Sequence, residues 1–192
     1  MSDVNVQHIR DTRALSALTH PLRRQLMDVM KLNGPATASA LSQATGQAVG
    51  NVSHHLRVLA DAALIEEVPE LARDRRERWW RLVSGGVRWT HTDFEHDPAE
   101  AAVADAAARL LIDRHMDFVR GWLTDRKSEE PDWRDGCAVS TETWLHLTPD
   151  EARQLAKELT ALLDRWASRP IPDDGQQRRP VFAFAHAVPA TP

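Results

Sequence analysis

The chain has 192 residues, of which 42% are hydrophobic and 27% are charged. This composition is typical of a folded protein and argues against a largely disordered chain. The net charge is −4, but it is unevenly distributed. Residues 1–83 carry eleven basic and nine acidic side chains, whereas the remainder carries thirteen basic and nineteen acidic ones. The first part is therefore the candidate for contact with a polyanion.

The sequence shows no targeting segment and a single cysteine, which limits the classes of protein to consider. No apolar stretch approaches the roughly 18 residues that a membrane span needs, and the first residues lack the apolar centre of a signal peptide. We therefore expect a cytoplasmic protein with no membrane partner. Cys137 is the single cysteine, so an internal disulfide and a thiolate-rich metal site are excluded.

The first part of the chain predicts three helices before residue 47. The first helix is expected at residues 8–18. The stretch THPLRRQLMDVMKLNGP has Pro21 in a first turn and a stop at Gly34, so it predicts a second helix of about three turns. A short third helix follows, because Thr37 can cap it and Gly46 lies just past its end, where a left-handed residue is favoured.

A fourth helix is predicted in NVSHHLRVLADAALIE, residues 51–66. Apolar residues at helical spacing define its buried stripe: Val52, Leu56, Leu59 and Ala63. Because successive helical residues are about 100° apart, His54 faces away from the stripe and His55 lies at its edge. The same rotation places Ser53 to the side. We call the outward residues the polar face: Gln47, Gly50, Asn51, His54, Arg57 and Asp61.

The periodicity changes after residue 63. LIEEVPE and RERWWRLV predict two strands joined by LARDR. The second half of this hairpin carries Asp74, Glu77 and five arginines: Arg73, Arg75, Arg76, Arg78 and Arg81. Trp79 and Trp80 should face opposite sides of the strand, one toward the core. A short helix, a glycine turn, a longer helix and a basic hairpin predict a winged helix-turn-helix over residues 8–83.

The second part of the chain predicts a different organisation. Residues 84–97 are expected to be a linker, and residues 98–192 to be a region for dimerisation and candidate sensing. A helix capped by Asp97 is predicted to run to about residue 123, a length that suits an element shared between two subunits. A further helix has the apolar stripe Leu155, Leu159, Leu162 and Trp166.

Two strands complete the predicted second part. TETWLHL, residues 141–147, and RPVFAFAHAV, residues 179–188, are expected to pair with each other. The predicted fold class is therefore α+β and mainly α: a winged helix-turn-helix with a C-terminal helical and two-stranded extension.

Three motifs of the first part follow one another in register: ALTHPLR, NVSHHLRVLADAALIE and RRERWWRL. With these motifs, residues 8–83 resemble the ArsR-type bacterial winged helix-turn-helix regulators. HLTPDEARQLAKEL resembles the C-terminal part of longer members. The resemblance implies a homodimer that binds a double-stranded DNA operator, usually as a repressor released by an effector such as a small molecule.

The polar face would then enter the major groove, with Gln47, Asn51 and His54 as candidate base readers. Ser53 and Arg57 are candidate contacts to phosphate or base, and the arginines of the hairpin would contact phosphates or the minor groove. The predicted DNA-binding residues are Gln47, Gly50, Asn51, Ser53, His54, Arg57, Arg73, Arg75, Arg76 and Arg78.

Metal sensing is an alternative. Many ArsR-type regulators sense metals through cysteines in or near the helix before the turn, or through Asp and His pairs on the dimerisation helix. Residues 37–46 of this chain contain no cysteine. The long helix offers Asp113 and His115, followed by Asp117, without a distant His-x-x-Glu or His-x-x-His partner. The best cluster is HTDFEHD, with ligand types that suit zinc or nickel: His91, Asp93, Glu95, His96 and Asp97. Because nothing in the sequence fixes their geometry, we predict no metal and no cofactor, and leave a metal-responsive repressor as an alternative.

Two further interpretations stay open. A winged-helix module that binds a protein partner and no operator has the same sequence pattern. Tryptophans outside the first part could line an apolar effector pocket, although large aromatics ordinarily fill interiors. Sequence motifs of the common enzyme classes are absent, so we do not expect an enzyme.

Overall fold

The structure, a computed structural model, describes residues 6–74 and 77–191. It is mainly helical with two small β-sheets, which confirms the predicted fold class of a winged helix-turn-helix. The chain divides between Leu111 and Ile112 into two compact units, called here the N-terminal and the C-terminal unit. Across the described residues, no helix combines the length and the apolar content needed to cross a membrane.

The N-terminal unit contains the four helices that the sequence predicts. They are α1 Thr12–Thr19, α2 Pro21–Asn33, α3 Ala38–Thr45 and α4 Val49–Asp61. The Thr37 hydroxyl accepts a hydrogen bond from the backbone N–H of Ala40 and caps α3. Gly46 ends α3 with a φ of 67°, a left-handed conformation that glycine adopts without a steric penalty. Because only a short turn separates α3 from α4, the two helices form a helix-turn-helix.

The predicted hairpin is also present. Strand β3, Ile65–Glu67, pairs antiparallel with β4, Trp79–Leu82. Strand β2, Ala36–Thr37, adds to the other edge of β4, and β1, Val6–His8, pairs in parallel with β5, Gly86–Arg88. We did not predict β1, β2 or β5, because two or three residues are too few to show a strand period.

One continuous core holds the N-terminal unit together. Val52, Leu56 and Leu59 of α4 are at most 1% exposed, as the helical period predicts. Trp80 is buried in this core while Trp79 is only half-buried, which confirms that the two rings face opposite sides. The predicted inward position of Ala63 is wrong: α4 ends at Asp61, and Ala63 is an exposed residue with a φ of 53°.

Residues 84–97 pack into the N-terminal unit, which differs from the linker that we expected. They include β5 and a short 3₁₀ turn, His91–Asp93. Phe94, a single aromatic ring in a polar stretch, is fully buried in the core. The side chain of Asp97 accepts a hydrogen bond from the backbone N–H of Ala99 and so caps the next helix, as predicted.

Three helices follow: α5 Pro98–Asp125, α6 Pro131–Arg134 and α7 Pro149–Ala167. Helix α7 starts with a reciprocal capping box between Thr148 and Glu151, which fixes its first turn. None of its residues is buried in the C-terminal unit, although its apolar residues recur at helical spacing.

The two-stranded part of the predicted extension is wrong. Residues 141–147 and 179–188 are fully described and contain no β-strand. The alternating residues of the second segment pack against α5 instead, with ring centroids of Phe182 and Phe118 4.5 Å apart and those of Phe184 and His115 4.9 Å apart. The period-two pattern therefore reflects packing on a helix and not strand pairing.

Candidate nucleic-acid interface

The polar face of α4 lies on the surface, as the helical rotation predicts. All six of its residues are exposed: Gln47, Gly50, Asn51, His54, Arg57 and Asp61. Ser53 is half-buried at the side of the helix. Gly50 has open space where a Cβ atom would lie, so no contact within the chain requires glycine there.

The adjacent histidines have opposite environments. His54 is exposed, whereas His55 is only 8% exposed and is the buried polar residue of the core. The His55 ring lies against that of His20, with centroids 4.3 Å apart. His54 is thus available to a partner, while His55 joins α4 to the start of α2.

A shallow cleft of about 550 Å³, wide open to solvent, lies between the polar face and the first turn of α2. Its lining residues are His20, Pro21, Leu22, Gln25, Gln47, Asn51 and His55. On its α4 side, the amide of Asn51 donates a hydrogen bond to the side-chain oxygen of Gln47 at 3.4 Å. We call it the α2 cleft. The α2 cleft extends the polar face toward α2. The sequence analysis did not predict this extension, because His20 and His55 are far apart in the chain.

A second cleft, of about 370 Å³, connects α4 with the hairpin. Its polar lining includes Ser53 and Arg57 from α4, Arg78 from the hairpin and Ser39 from α3. The predicted contacts on α4 and one predicted arginine of the hairpin therefore share a concave surface. This arrangement brings the helix and the hairpin to the same side of the N-terminal unit.

Glutamates of the hairpin pair with some of the arginines that the sequence analysis assigned to it. Arg81 donates a hydrogen bond to Glu66 at 2.8 Å, and Arg78 lies 3.2 Å from Glu67. The hydrogen bond to Glu66 raises the pKa of Arg81, and the negative charge of Glu66 raises it further. Residues 65–82 contain five arginines and five acidic residues, so their formal charges cancel. In the connecting segment, Arg73 is exposed. Arg75 and Arg76 lie outside the described residues.

The residues of the HTDFEHD segment do not converge. Three of them pair with different residues outside the segment: His91 with Asp105 at 3.2 Å, Asp93 with His8 at 2.7 Å, and His96 with Glu100 at 3.4 Å. Hydrogen bonds from Thr90 and His8 lower the pKa of Asp93. Among residues 6–74 and 77–191, no group of three or more His, Cys, Asp or Glu side chains is arranged to hold a metal ion.

These features define a winged helix-turn-helix with an exposed polar helix face. Residues 18–68 match the family model described as "Helix-turn-helix domain". This stretch is therefore a helix-turn-helix, as the spacing of its helices predicts. No curated protein matches the chain.

Several solved structures are similar to parts of the chain. One is a possible transcriptional regulatory protein (fragment 1–100) from Mycobacterium bovis, with 21% identity, a TM-score of 0.34, and coverage of 53% of this chain and 88% of that one. The transcriptional repressor BigR from Xylella fastidiosa has 21% identity, a TM-score of 0.32, and coverage of 49% and 78%. The homodimeric winged helix-turn-helix DNA-binding domain Mb0332 from Mycobacterium bovis, a possible ArsR-family transcriptional regulator, has 18% identity, a TM-score of 0.33, and coverage of 62% and 84%.

Proposed function

We propose that the protein is a sequence-specific DNA-binding transcriptional regulator, a homodimeric repressor of the ArsR type that an effector releases from its operator. The observation that carries this proposal is the concave surface shared by α4 and the hairpin, where Ser53, Arg57 and Arg78 line one cleft beside the exposed polar face. Duplex DNA fits such a surface because a helix enters the major groove while an adjoining hairpin follows the backbone.

In this proposal α4 contacts base edges and the hairpin contacts the backbone. Gln47, Asn51 and His54 present hydrogen-bonding groups to the major groove, where a well-placed bidentate contact discriminates by about 1–3 kcal/mol. Arg57 contacts phosphate or a guanine edge. The arginines at residues 73–78 contact phosphates or the minor groove and supply affinity that depends on salt.

Dimerisation is assigned to the region of residues 98–192. Helix α5 exposes apolar side chains at helical spacing in the C-terminal unit: Ile112, Met116 and Leu123. Residues four and eleven positions after Ile112 fall on the same helix face, so they form one apolar stripe. A symmetric pair of subunits would place two α4 helices about 34 Å apart on successive major grooves and would read a palindromic operator.

The effector is assigned to the C-terminal unit. Trp144 and Trp166 were expected to fill an interior, but they are 67% and 60% exposed. Together with the apolar residues of α7, they offer surface for an apolar small molecule or for a second subunit. Occupation of this region by an effector would alter the spacing of the two α4 helices.

A mobility-shift experiment tests the proposal. The full chain is mixed with a mixed-sequence duplex at low salt, and a random library is then selected for the preferred operator. We expect a complex at micromolar protein or below and enrichment of a palindrome. The absence of any complex at micromolar protein would favour the protein-interaction module.

Dialysis against a chelator separates the metal-responsive alternative. Because His91, Asp93 and His96 of the HTDFEHD segment pair with three different residues, we expect operator affinity to stay unaltered after dialysis. A large change in affinity, restored by added zinc or nickel, would favour a metal-responsive repressor instead.

A further inference from the structure

The α2 cleft brings two imidazoles together beside a helix N-terminus. Its described lining residues include no carboxylate. His20 and His55 contribute their rings, Gln25 comes from α2, and Gln47 and Asn51 form the wall that belongs to the polar face. The cleft is therefore a polar depression without an acidic group, adjoining the proposed base-reading residues.

The charges around these imidazoles are positive. Burial lowers the pKa of His20, and the charges of Arg23 and His54 lower it further. Burial also lowers the pKa of His55, and the charges of His20, Arg23 and His54 lower it further. Backbone N–H groups at the start of α2 add the positive end of the helix dipole. An anion is the ligand whose charge complements such surroundings.

Within the described part of the chain, each of the two imidazoles keeps one ring nitrogen for which no hydrogen bond is seen. His20 accepts a hydrogen bond from the backbone N–H of Leu22 at its Nδ1, so the proton of the neutral ring is on Nε2, which is a donor. His55 is more than nine-tenths buried, and its Nδ1 has no hydrogen-bond partner within the described chain. His55 also lines the α2 cleft, and a buried unpaired nitrogen costs free energy until it gains a partner.

We propose that the α2 cleft is a phosphate subsite, in which His20, His55 and Gln25 hold a backbone phosphate of the duplex that lies on the polar face. This inference rests on the proposed function, since the duplex must first bind α4. It adds to the contacts of the polar face and the hairpin a backbone contact in which α2 takes part through His20 at its start and Gln25.

The position of the cleft favours a phosphate of duplex DNA over other ligands. Gln47 and Asn51 belong both to the cleft wall and to the polar face, so a duplex in contact with these residues brings its backbone to the cleft. A metal cation is disfavoured because the neighbouring charges are positive and no carboxylate would compensate it.

Charge variants of Gln25 test this subsite. Gln25 is exposed, so Gln25→Glu and Gln25→Lys should both fold. We measure the affinity of the full chain for a fluorescein-labelled 30-bp mixed-sequence duplex at low salt by anisotropy. An added carboxylate facing a phosphate should weaken binding about tenfold, and an added ammonium should strengthen it by about threefold or more. Asn33→Asp, at the other end of α2, is the matched control and should change little.

A second measurement follows the imidazoles themselves. Ring Cε1–H NMR signals of His20 and His55 are titrated with pH in the free protein, with the duplex, and with inorganic phosphate. We expect the duplex to raise both titration midpoints by about half a unit or more, because a nearby anion favours the charged ring. His96, which pairs with Glu100, should not change.

The outcomes are distinct. If the duplex binds but the Gln25→Glu protein binds as tightly as the wild type, or the two midpoints stay fixed, the subsite is wrong while the proposed function stands. If inorganic phosphate moves the midpoints and bound duplex does not, the cleft is a site for a free anion and the proposal is overturned. If no duplex binds the wild-type protein, both the subsite and the proposed function fail.

Discussion

His20 and His55 pack ring against ring, with centroids 4.3 Å apart. His20 caps α2 through its Nδ1, and His55 belongs to the buried side of α4. The contact therefore links the N-terminus of α2 to the helix that carries the polar face. The orientation of that face depends on two imidazoles that are most compatible with the core when neutral.

We expect acid to destabilise the fold through this pair. Burial lowers the pKa of both rings in the folded protein, and neighbouring positive charge lowers it further. In the unfolded chain, the pKa of a histidine is about 6.5. Below that pH the unfolded chain binds more protons, so the free energy of unfolding is greatest above about 6.5 and falls as the pH drops through the lowered folded values. Thermal unfolding between about pH 8 and pH 5 measures this dependence.

Two variants identify the source of that dependence. His20→Asn keeps a side-chain acceptor at the start of α2 and removes one imidazole, so its melting temperature should fall less steeply with acid. His96→Asn removes an exposed imidazole that pairs with Glu100 and serves as the control. An equally steep fall in the wild-type and His20→Asn proteins would contradict the account.

The adjacent histidines should separate specificity from stability. His54 is exposed and His55 is buried. His54→Ala should reduce discrimination between operator and random DNA by about 1–3 kcal/mol with little change in stability. His55→Ala should cost about 1–3 kcal/mol of unfolding free energy. Through the α2 cleft it should also weaken binding to operator and random DNA alike, without changing the discrimination between them. Competition binding and denaturant unfolding measure the two effects, and a large loss of stability in the His54→Ala protein would refute the assignment.

The arginines of the hairpin should differ in their contribution to the salt dependence of DNA binding. Arg78→Ala should reduce the slope of log affinity against log salt by about 1, because one phosphate contact is lost. The double variant Arg75→Ala, Arg76→Ala, a prediction from the sequence, should reduce it further for all DNA sequences. Arg81→Ala is the control, since Arg81 donates to Glu66 on the neighbouring strand and is not a lining residue of the cleft that Arg78 shares with α4. An unchanged slope in the Arg78 and double variants would mean that the hairpin does not contact the backbone.

The apolar stripe of α5 should control oligomeric state. Met116 is 37% exposed in the single chain, and Met116→Asp would place a charge in the proposed interface. We expect light scattering to give about twice the 21.6 kDa chain mass for the wild type and a monomer for the variant, because an unpaired buried charge costs several kcal/mol. Asp113→Asn on the same helix should remain dimeric. A variant with the wild-type mass would move the interface away from this stripe.

Local sequence signals were sufficient for most of the N-terminal unit. Helix ends follow from caps that lie within a few residues of the helix, as at Thr37 and Gly46. The orientation of His54 and His55 follows from helical rotation alone, once Val52 and Leu56 are assigned to the core. Such features are encoded by neighbouring residues, so one sequence reveals them.

Contacts between distant segments could not be predicted in the same way. The stacking of His20 on His55 joins two helices and has no local pattern. Alternating apolar residues around Phe182 fit a strand equally well, but their side chains pack on α5. Likewise, only the tertiary structure shows that Phe94 fills the core, because one aromatic residue in a polar stretch has no period.

Chemical-shift mapping with DNA tests the central claim most directly. The amide signals of the full chain are recorded during titration with a mixed-sequence duplex at low salt. The account predicts that the largest changes fall together on residues 47–57 and 73–78, with α7 little affected. Tight duplex binding with changes confined to α7, or no change at micromolar protein and duplex, would contradict a common DNA-binding surface formed by the polar face and the hairpin.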